Sequence, residues 1–178
     1  MRFKAEIMDE NMLNRALVRI SHEILEKNNG SKNLLIVGIK TRGVPIAKRI
    51  AENIRQIDGK EVPVGIIDIT MHRDDRKSDE PILNGTQIPA SVEGRDVIIV
   101  DDVLYTGRTV RAAIETVLEL GRPKTIQFAA LIDRGHRELP IRADYIGKNI
   151  PTARSEVVSV SVMETDGKNN VELYDLNN

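Results

Sequence analysis

A chain of 178 residues, 40% apolar and 30% charged, is long enough for one well-packed domain and too apolar for disorder. The absence of cysteine excludes disulfides, zinc ribbons and thiol catalysis. A net charge of −1, with only Phe3, Phe128 and three tyrosines as aromatics, argues against a globally basic nucleic-acid binder and against a stacking platform for single strands.

Asp9 is placed to cap a first helix in which Leu13, Ala16, Leu17, Ile20, Ile24 and Leu25 recur at helical spacing, with Gly30 ending it. Its opposite face carries Arg15, Arg19, His22 and Lys27. The run LLIVGI, Leu34–Ile39, reads as a buried strand. After Thr41-Arg42-Gly43, Pro45 sits near the start of a second helix with the stripe Ile46, Ala47, Ile50, Ala51 and Ile54. Residues 64–70 read as a strand, followed by the polar loop MHRDDRKSDEP. Residues 97–100 form another buried strand, and the helix after it places Val110, Ala113, Ile114, Val117 and Leu118 on one side until Gly121 and Pro123 stop it. Residues 125–132 are again strand-like. Shorter strand-like pieces follow around Tyr145, residues 157–163 and residues 171–174, with TDGKNN as the turn of a terminal hairpin. No apolar run reaches signal-peptide or membrane-spanning length, so a cytoplasmic protein with no membrane partner is expected.

Strands alternating with helices predict an α/β fold, a mostly parallel twisted sheet with helices on both faces. Ligands bind such sheets beyond the carboxyl ends of the strands. That places residues 40–43, 101–109 and 133–137 at one rim.

The stretch VIIVDDVLYTGRT, residues 97–109, carries the chemistry. Its strand is expected to bury Val97 to Val100 and to eject Asp101 and Asp102 at its end. Tyr105, Thr106, Gly107, Arg108 and Thr109 then supply backbone N–H groups, hydroxyls and a helix N-terminus, a cradle for phosphate. The spacing is neither that of a Walker loop nor that of a G-x-G-x-x-G turn. Two carboxylates would repel a phosphate unless they serve other parts of the ligand. They suit vicinal hydroxyls, or hydrated Mg²⁺, which takes few carboxylates. A phosphorylated ribose offers all of these features. An Asp-Asp pair after a strand can also simply cap a turn.

This stretch resembles the phosphoribosyl-pyrophosphate (PRPP) signature of type I phosphoribosyltransferases. VGIKTRG, DIT-HRDD and DRGHRELPIRADYIGKNIPT extend the likeness over nearly the whole chain, toward the bifunctional pyrimidine-operon regulators that are also uracil phosphoribosyltransferases. The resemblance implies a single domain over residues 1–178, with a small hood from the N-terminal residues and about 134–155, a C-terminal hairpin, and the family's mobile flap at about 71–89. It implies that Asp101 and Asp102 meet the ribose hydroxyls and, through water or PRPP, Mg²⁺, while Thr106 to Thr109 hold the 5′-phosphate. Thr41 and Arg42 match the pyrophosphate loop, and Arg73 of the flap would meet charge developing on pyrophosphate. Neither G-x-S-x-G nor a metal-spaced histidine set is present, so a covalent nucleophile is not expected.

Tyr145 and Ile146 take the positions that the resemblance assigns to the pair covering the base. Asp133 stands where purine-specific relatives carry a lysine that donates to the base, and an ionised carboxylate cannot donate. That favours uracil, giving UMP and pyrophosphate. The alternative is a purine phosphoribosyltransferase with no role on RNA. A PRPP-synthesising kinase would need a separate ATP-binding half, which is not found. The resemblance further implies uridine-nucleotide-dependent binding of the pyrimidine operon's leader RNA by a homo-oligomer, a dimer or higher. Arg19, His22, Lys27, Arg142 and Lys148 are its candidate contacts, although basic residues on amphipathic helices are commonly plain solvent faces. Val18 stands where the family's RNA-facing helix has a threonine, a departure that bears on RNA recognition alone.

Overall fold

The structure is a computed structural model and describes residues 1–69 and 85–177. Arg73 and most of the expected flap lie outside the described residues.

Strand β1 (Arg2–Met8) leads into helix α1 (Glu10–Lys27), whose N-cap Asp9 accepts from the Met12 N–H at 2.7 Å. Its apolar stripe buries Leu13, Ala16, Leu17, Ile20 and Ile24, as the spacing requires. The helix stops at the cap Asn28, before the expected Gly30. Gly30, at φ +101°, then closes the end by donating to the Leu25 carbonyl at 2.9 Å. Strand β2 (Leu34–Ile39) is buried throughout, and helix α2 (Gly43–Asp58) follows with the predicted stripe inward.

Strand β3 (Val64–Ile67) is shorter than expected. Strand β4 (Asp96–Leu104) is longer, and this corrects the reading of the acidic pair. The strand does not eject its aspartates after Val100: Asp101 pairs with Ala130, Val103 with Ile132 and Leu104 with Asp133. Helix α3 (Arg108–Leu120) buries Val110, Ala112, Ala113, Thr116 and Val117. Leu118, expected on that stripe, is 54% exposed. Thr116 is buried instead because its hydroxyl donates to the Ala112 carbonyl at 3.0 Å.

Strands β5 (Thr125–Asp133) and β6 (Tyr145–Asn149) complete a five-stranded, wholly parallel sheet of order β3-β2-β4-β5-β6. Alternate residues face opposite layers. Leu34, Ile36, Ile98 and Val100 pack with α1 and α2, while Leu35, Val37, Val97 and Ile99 pack with α3.

The hood is an antiparallel sheet of order β1-β8-β7, built from β1, β7 (Glu156–Ser161) and β8 (Asn170–Asp175); of the residues expected in it the N-terminal ones take part as β1, whereas β6, within 134–155, belongs to the central sheet. The sequence reading missed β1 as a strand. Yet Phe3, Ala5 and Ile7 alternate with the charged Arg2, Lys4 and Glu6, the period of a strand, and the segment pairs with β8 at the far end of the chain. The β7–β8 connection is not a tight turn. It contains the short helix α4 (Met163–Asp166), ended by Gly167 at φ +72°.

Candidate active site

All five strands of the central sheet run the same way, so the segments after β2, β4 and β5 meet at one rim, as expected. The first turn of α2 is laid directly on the end of β4. A Cβ on Gly43 would stand 2.5 Å from the Val100 carbonyl oxygen and 3.3 Å from the Asp101 Cα. Only glycine permits that approach. A polar cavity of about 410 Å³ opens there, lined by Lys40, Thr41, Asp68, Ile69, Asp101, Asp102, Val103 and Thr109. The Lys40–Thr41 peptide is cis. Lys40 pairs with Asp68 at 3.2 Å, and the Asp68 N–H donates to Thr86 Oγ1 at 3.1 Å.

Asp101 is buried, and its Oδ1 accepts from the Asp102 N–H at 2.9 Å. Asp102 Oδ1 accepts from the Val103 N–H at 2.8 Å. Burial first, and then the neighbouring Asp102 charge, push the Asp101 carboxyl well above the usual carboxylate range. Burial likewise raises Asp102, opposed by backbone hydrogen bonds and by the nearby Arg42. Such a pair invites a ligand that brings hydroxyl donors or positive charge. Among the described residues no three His, Asp or Glu side chains cluster as a metal site. Two carboxylates are nevertheless what Mg²⁺ needs when substrate oxygens and waters complete its shell, so the residues fit a substrate-bridged ion.

The 105–109 turn follows at once. Gly107, at φ +94°, caps α3 and lies beneath Leu139 and Ile141. The Thr106 carbonyl accepts from the N–H groups of Glu138 (2.9 Å) and Leu139 (3.2 Å). Arg137 donates to the Tyr105 carbonyl at 2.8 Å, and Arg108 pairs with Glu138 at 2.6 Å. Arg134 stacks on the Tyr105 ring at 4.1 Å. The helix start is thereby held in place at the ends of the strands, and Thr106 Oγ1 accepts from the Arg108 N–H at 3.3 Å. Thr41, Arg42, Asp101, Asp102 and residues 105–109 are all brought to this rim.

Arg42 has a partner that sequence alone does not reveal. Its Nε donates to Asp166 Oδ2 at 3.0 Å and its Nη2 to Asp166 Oδ1 at 2.7 Å, a fork to a residue 124 positions away in the hood. The hydrogen bonds to Asp166 come first among the causes that raise Arg42, and they hold Asp166 below the usual range. A second fork runs beside it, from Arg49 to Glu164 at 2.8 and 2.6 Å. No local pattern marks Asp166 or Glu164, because both meet α2 through side-chain forks that span more than a hundred positions of sequence.

The base-covering assignment needs correction. Asp133 does lie at the rim, ion-paired to Arg137 and accepting from the Gly135 N–H at 3.0 Å. Tyr145 opens β6 opposite Ala129, whereas Asn149 at the other end pairs with Asp133. Four residues of strand put Tyr145 about 13 Å short of the rim. It is buried instead in the core, its hydroxyl donating to Gln127 Oε1 and accepting from Asn28 Nδ2, and burial pushes it up to about 12. Ile146 is also below the rim, and its carbonyl accepts from Arg19 at 3.1 Å. The segment that does reach Asp133 is 150–156. The Ile150 N–H donates to the Asp133 carbonyl at 2.8 Å, Arg134 donates to the Glu156 carbonyl at 2.6 Å, and His136 Nε2 lies 2.6 Å from the Thr152 carbonyl.

Helix α1 lies along β6, which sets the helix of the candidate RNA contacts Arg19, His22 and Lys27 beside the strand of Lys148, with Arg142 in the loop that leads into it. Three are engaged within the chain: Arg19 with Glu23 and the Ile146 and Gly147 carbonyls, Lys27 with Asp144, and Lys148 with the Ile7 carbonyl. His22 and Arg142 are exposed. No helix among the described residues is long and apolar enough to cross a membrane.

Comparison with known proteins agrees with this geometry. The phosphoribosyl transferase domain family matches residues 5–165, and the chain belongs to that family. Its fold is that of hypoxanthine-guanine phosphoribosyltransferase from Bacillus anthracis (TM-score 0.73, 18% identity, 97% of this chain and 98% of that one). Hypoxanthine phosphoribosyltransferase from Trypanosoma cruzi in its complex with IMP is similar too (TM-score 0.74, 18% identity, 96% and 94%). Within the family, the chain groups with the bifunctional PyrR proteins. It is 59% identical to that of Acetivibrio thermocellus over 97% of this chain and 95% of the relative. To that of Caldicellulosiruptor saccharolyticus it is 60% identical over 96% and 95%.

Proposed function

We propose that this chain transfers the phosphoribosyl group of PRPP to uracil, giving UMP and pyrophosphate, and that with a uridine nucleotide bound it attaches to the leader RNA of the pyrimidine operon to control expression by attenuation. The observation that carries the reading is the junction of β4 and α3, where an acidic pair, Asp101 buried and Asp102 half-buried, and a helix N-terminus share one rim in a chain so similar to PyrR proteins. The purine alternative is not favoured, since the purine-specific neighbours share the fold at only 18% identity.

In the reaction, uracil N1 bonds to the anomeric carbon as that carbon's bond to pyrophosphate breaks, and the N1 proton is released. The ribose hydroxyls donate to Asp101 and Asp102, whose charge also faces the oxocarbenium character of the transition state. The 5′-phosphate sits on the N–H groups and hydroxyls of residues 106–109. Thr41 and Arg42 receive the leaving pyrophosphate, and Arg73 is proposed to close on it from the flap. Mg²⁺ carried with PRPP supplies charge neutralisation at the same place. Asp133 and the 150–156 segment border the base. Orientation and placed charge do the catalysis, with no covalent intermediate.

RNA contact is assigned to the α1–β6 face, with phosphate contacts giving salt dependence and splayed loop bases giving sequence choice. The whole chain works as one domain, in the cytoplasm, and as a homo-oligomer. The test pairs two assays on one variant. Asp102→Asn is expected to lower UMP formation by about 10²-fold or more and to leave the gel shift of the leader RNA intact. Turnover of a purine in place of uracil, or no RNA shift with or without UMP, sinks the reading.

A further inference from the structure

We infer that Asp166 is the positioning residue for Arg42, holding its guanidinium at the pyrophosphate side of the cavity through the fork from the hood. The inference rests on the transferase reading above.

The geometry divides the guanidinium in two. Asp166 takes one edge, Nε–H and one N–H of Nη2. Nη1 has no partner among the described residues, so both of its donors, with the second N–H of Nη2, remain for an incoming anion. A carboxylate that competed for the whole group would block the anion. One that holds the far edge instead aims the near edge. Arg42 directly follows Thr41, which lines the cavity that holds the acidic pair, and its charge acts on Asp102 there.

The carrier of Asp166 is fixed without help from Arg42. Glu164, two residues earlier, takes the Arg49 fork. Asn169 accepts from Arg49 at 2.7 Å and from the Met163 N–H at 2.9 Å, and Asp166 itself accepts from the Val162 N–H at 2.9 Å. Arg42 is the N-cap of α2, and its side chain makes no capping hydrogen bond to that helix. Without Asp166 a long flexible side chain would have to be ordered by pyrophosphate itself, which weakens both binding and alignment.

Asparagine separates aiming from tethering. It keeps an oxygen for the Val162 N–H, but it turns an N–H toward an N–H of Arg42. Steady-state transfer kinetics and calorimetry of pyrophosphate binding with Mg²⁺ are to be measured for Asp166→Asn, Asp166→Ala, Arg42→Ala and the double variants. Both Asp166 variants are expected to lose tenfold or more in kcat/KM for PRPP, up to about 10²-fold, and tenfold or more in pyrophosphate affinity, with the KM for uracil unchanged. Neither change should add to Arg42→Ala, because a residue acting only through another is silent once that partner is gone. Near-wild-type behaviour of Asp166→Asn, or additive losses in the Arg42→Ala background, overturns the inference. If uracil is not transferred while the non-additive binding pattern holds, the transferase reading fails and the aiming role stands.

Discussion

A methyl group on Gly43 has nowhere to go. Its ideal position is 2.5 Å from the Val100 carbonyl oxygen and 3.3 Å from the Asp101 Cα, both backbone atoms of a central strand. To reach an ordinary contact near 3.4 Å, the start of α2 and the end of β4 must part by roughly 0.9 Å. Overpacking of this kind costs about 1–3 kcal/mol. In a chain of this length that is about 2–12 °C of melting temperature. The larger effect is chemical. The same displacement separates Thr41 and Arg42 from Asp101 and Asp102, and misplacement of reacting groups by about 1 Å costs about 10²-fold in rate. Gly59→Ala is the matched control. Gly59 ends α2 at φ +73° with no neighbour within 4 Å of the added carbon. It should lose about 1–2 kcal/mol from the left-handed conformation alone, with transfer kinetics unchanged. Thermal unfolding and UMP formation are to be measured on both variants. Wild-type kcat/KM in Gly43→Ala, or equal catalytic losses in the two, refutes the argument that this contact sets the site.

Three further outcomes follow from the same geometry. Asp101→Asn is expected to stabilise the ligand-free protein at pH 8. The raised carboxyl contributes stability that is complete below its ordinary value of 3.8 and lost as pH rises through the folded value. Urea unfolding at pH 4, 6 and 8 should therefore show the variant's advantage growing with pH, and a variant less stable at pH 8 contradicts the burial argument. Tyr145→Phe should lose about 1–3 kcal/mol by removing the hydroxyl that Gln127 faces. Its KM for uracil should stay unchanged, whereas a base-covering tyrosine would raise it. Arg142→Gln should flatten the salt dependence of leader-RNA binding by about one unit of slope and leave transfer intact; an unaltered slope removes Arg142 from the RNA face.

The central sheet was legible because its strands are short aliphatic runs between turn residues, and its helices carry clear stripes. The rim followed from the parallel topology those elements require. What the sequence did not carry were features made by distant pairing. Strand β1 does alternate, with Phe3, Ala5 and Ile7 between charged residues, but its partner β8 lies at the far end of the chain. The extra length of β4 depends on β5, which pairs with it through Asp101 and Leu104 despite the adjacent charges. The Asp166 fork depends on where the hood sets α4. Tyr145 misled for the converse reason. An aromatic followed by an aliphatic residue invites a reading as a base cover, but strand direction put the pair at the wrong end of β6. Residues 150–155, which do reach the rim, are irregular; the expected hood covered them, but no periodicity picked them out over Tyr145 and Ile146.

The hold of Arg19 on the carbonyls of Ile146 and Gly147 has a consequence for how the protein stays dispersed. Strand β6 is the last of its sheet, and an open last strand is a template on which a second chain can add and aggregates can grow. A guanidinium lodged there fills acceptor sites and brings a charge that an incoming strand would have to bury. Were Arg19 drawn away to a phosphate of RNA, the edge would be left to whatever covers it in the complex. A substitution at Arg19 is therefore expected to show itself as clumping in concentrated solution in addition to weakened RNA binding.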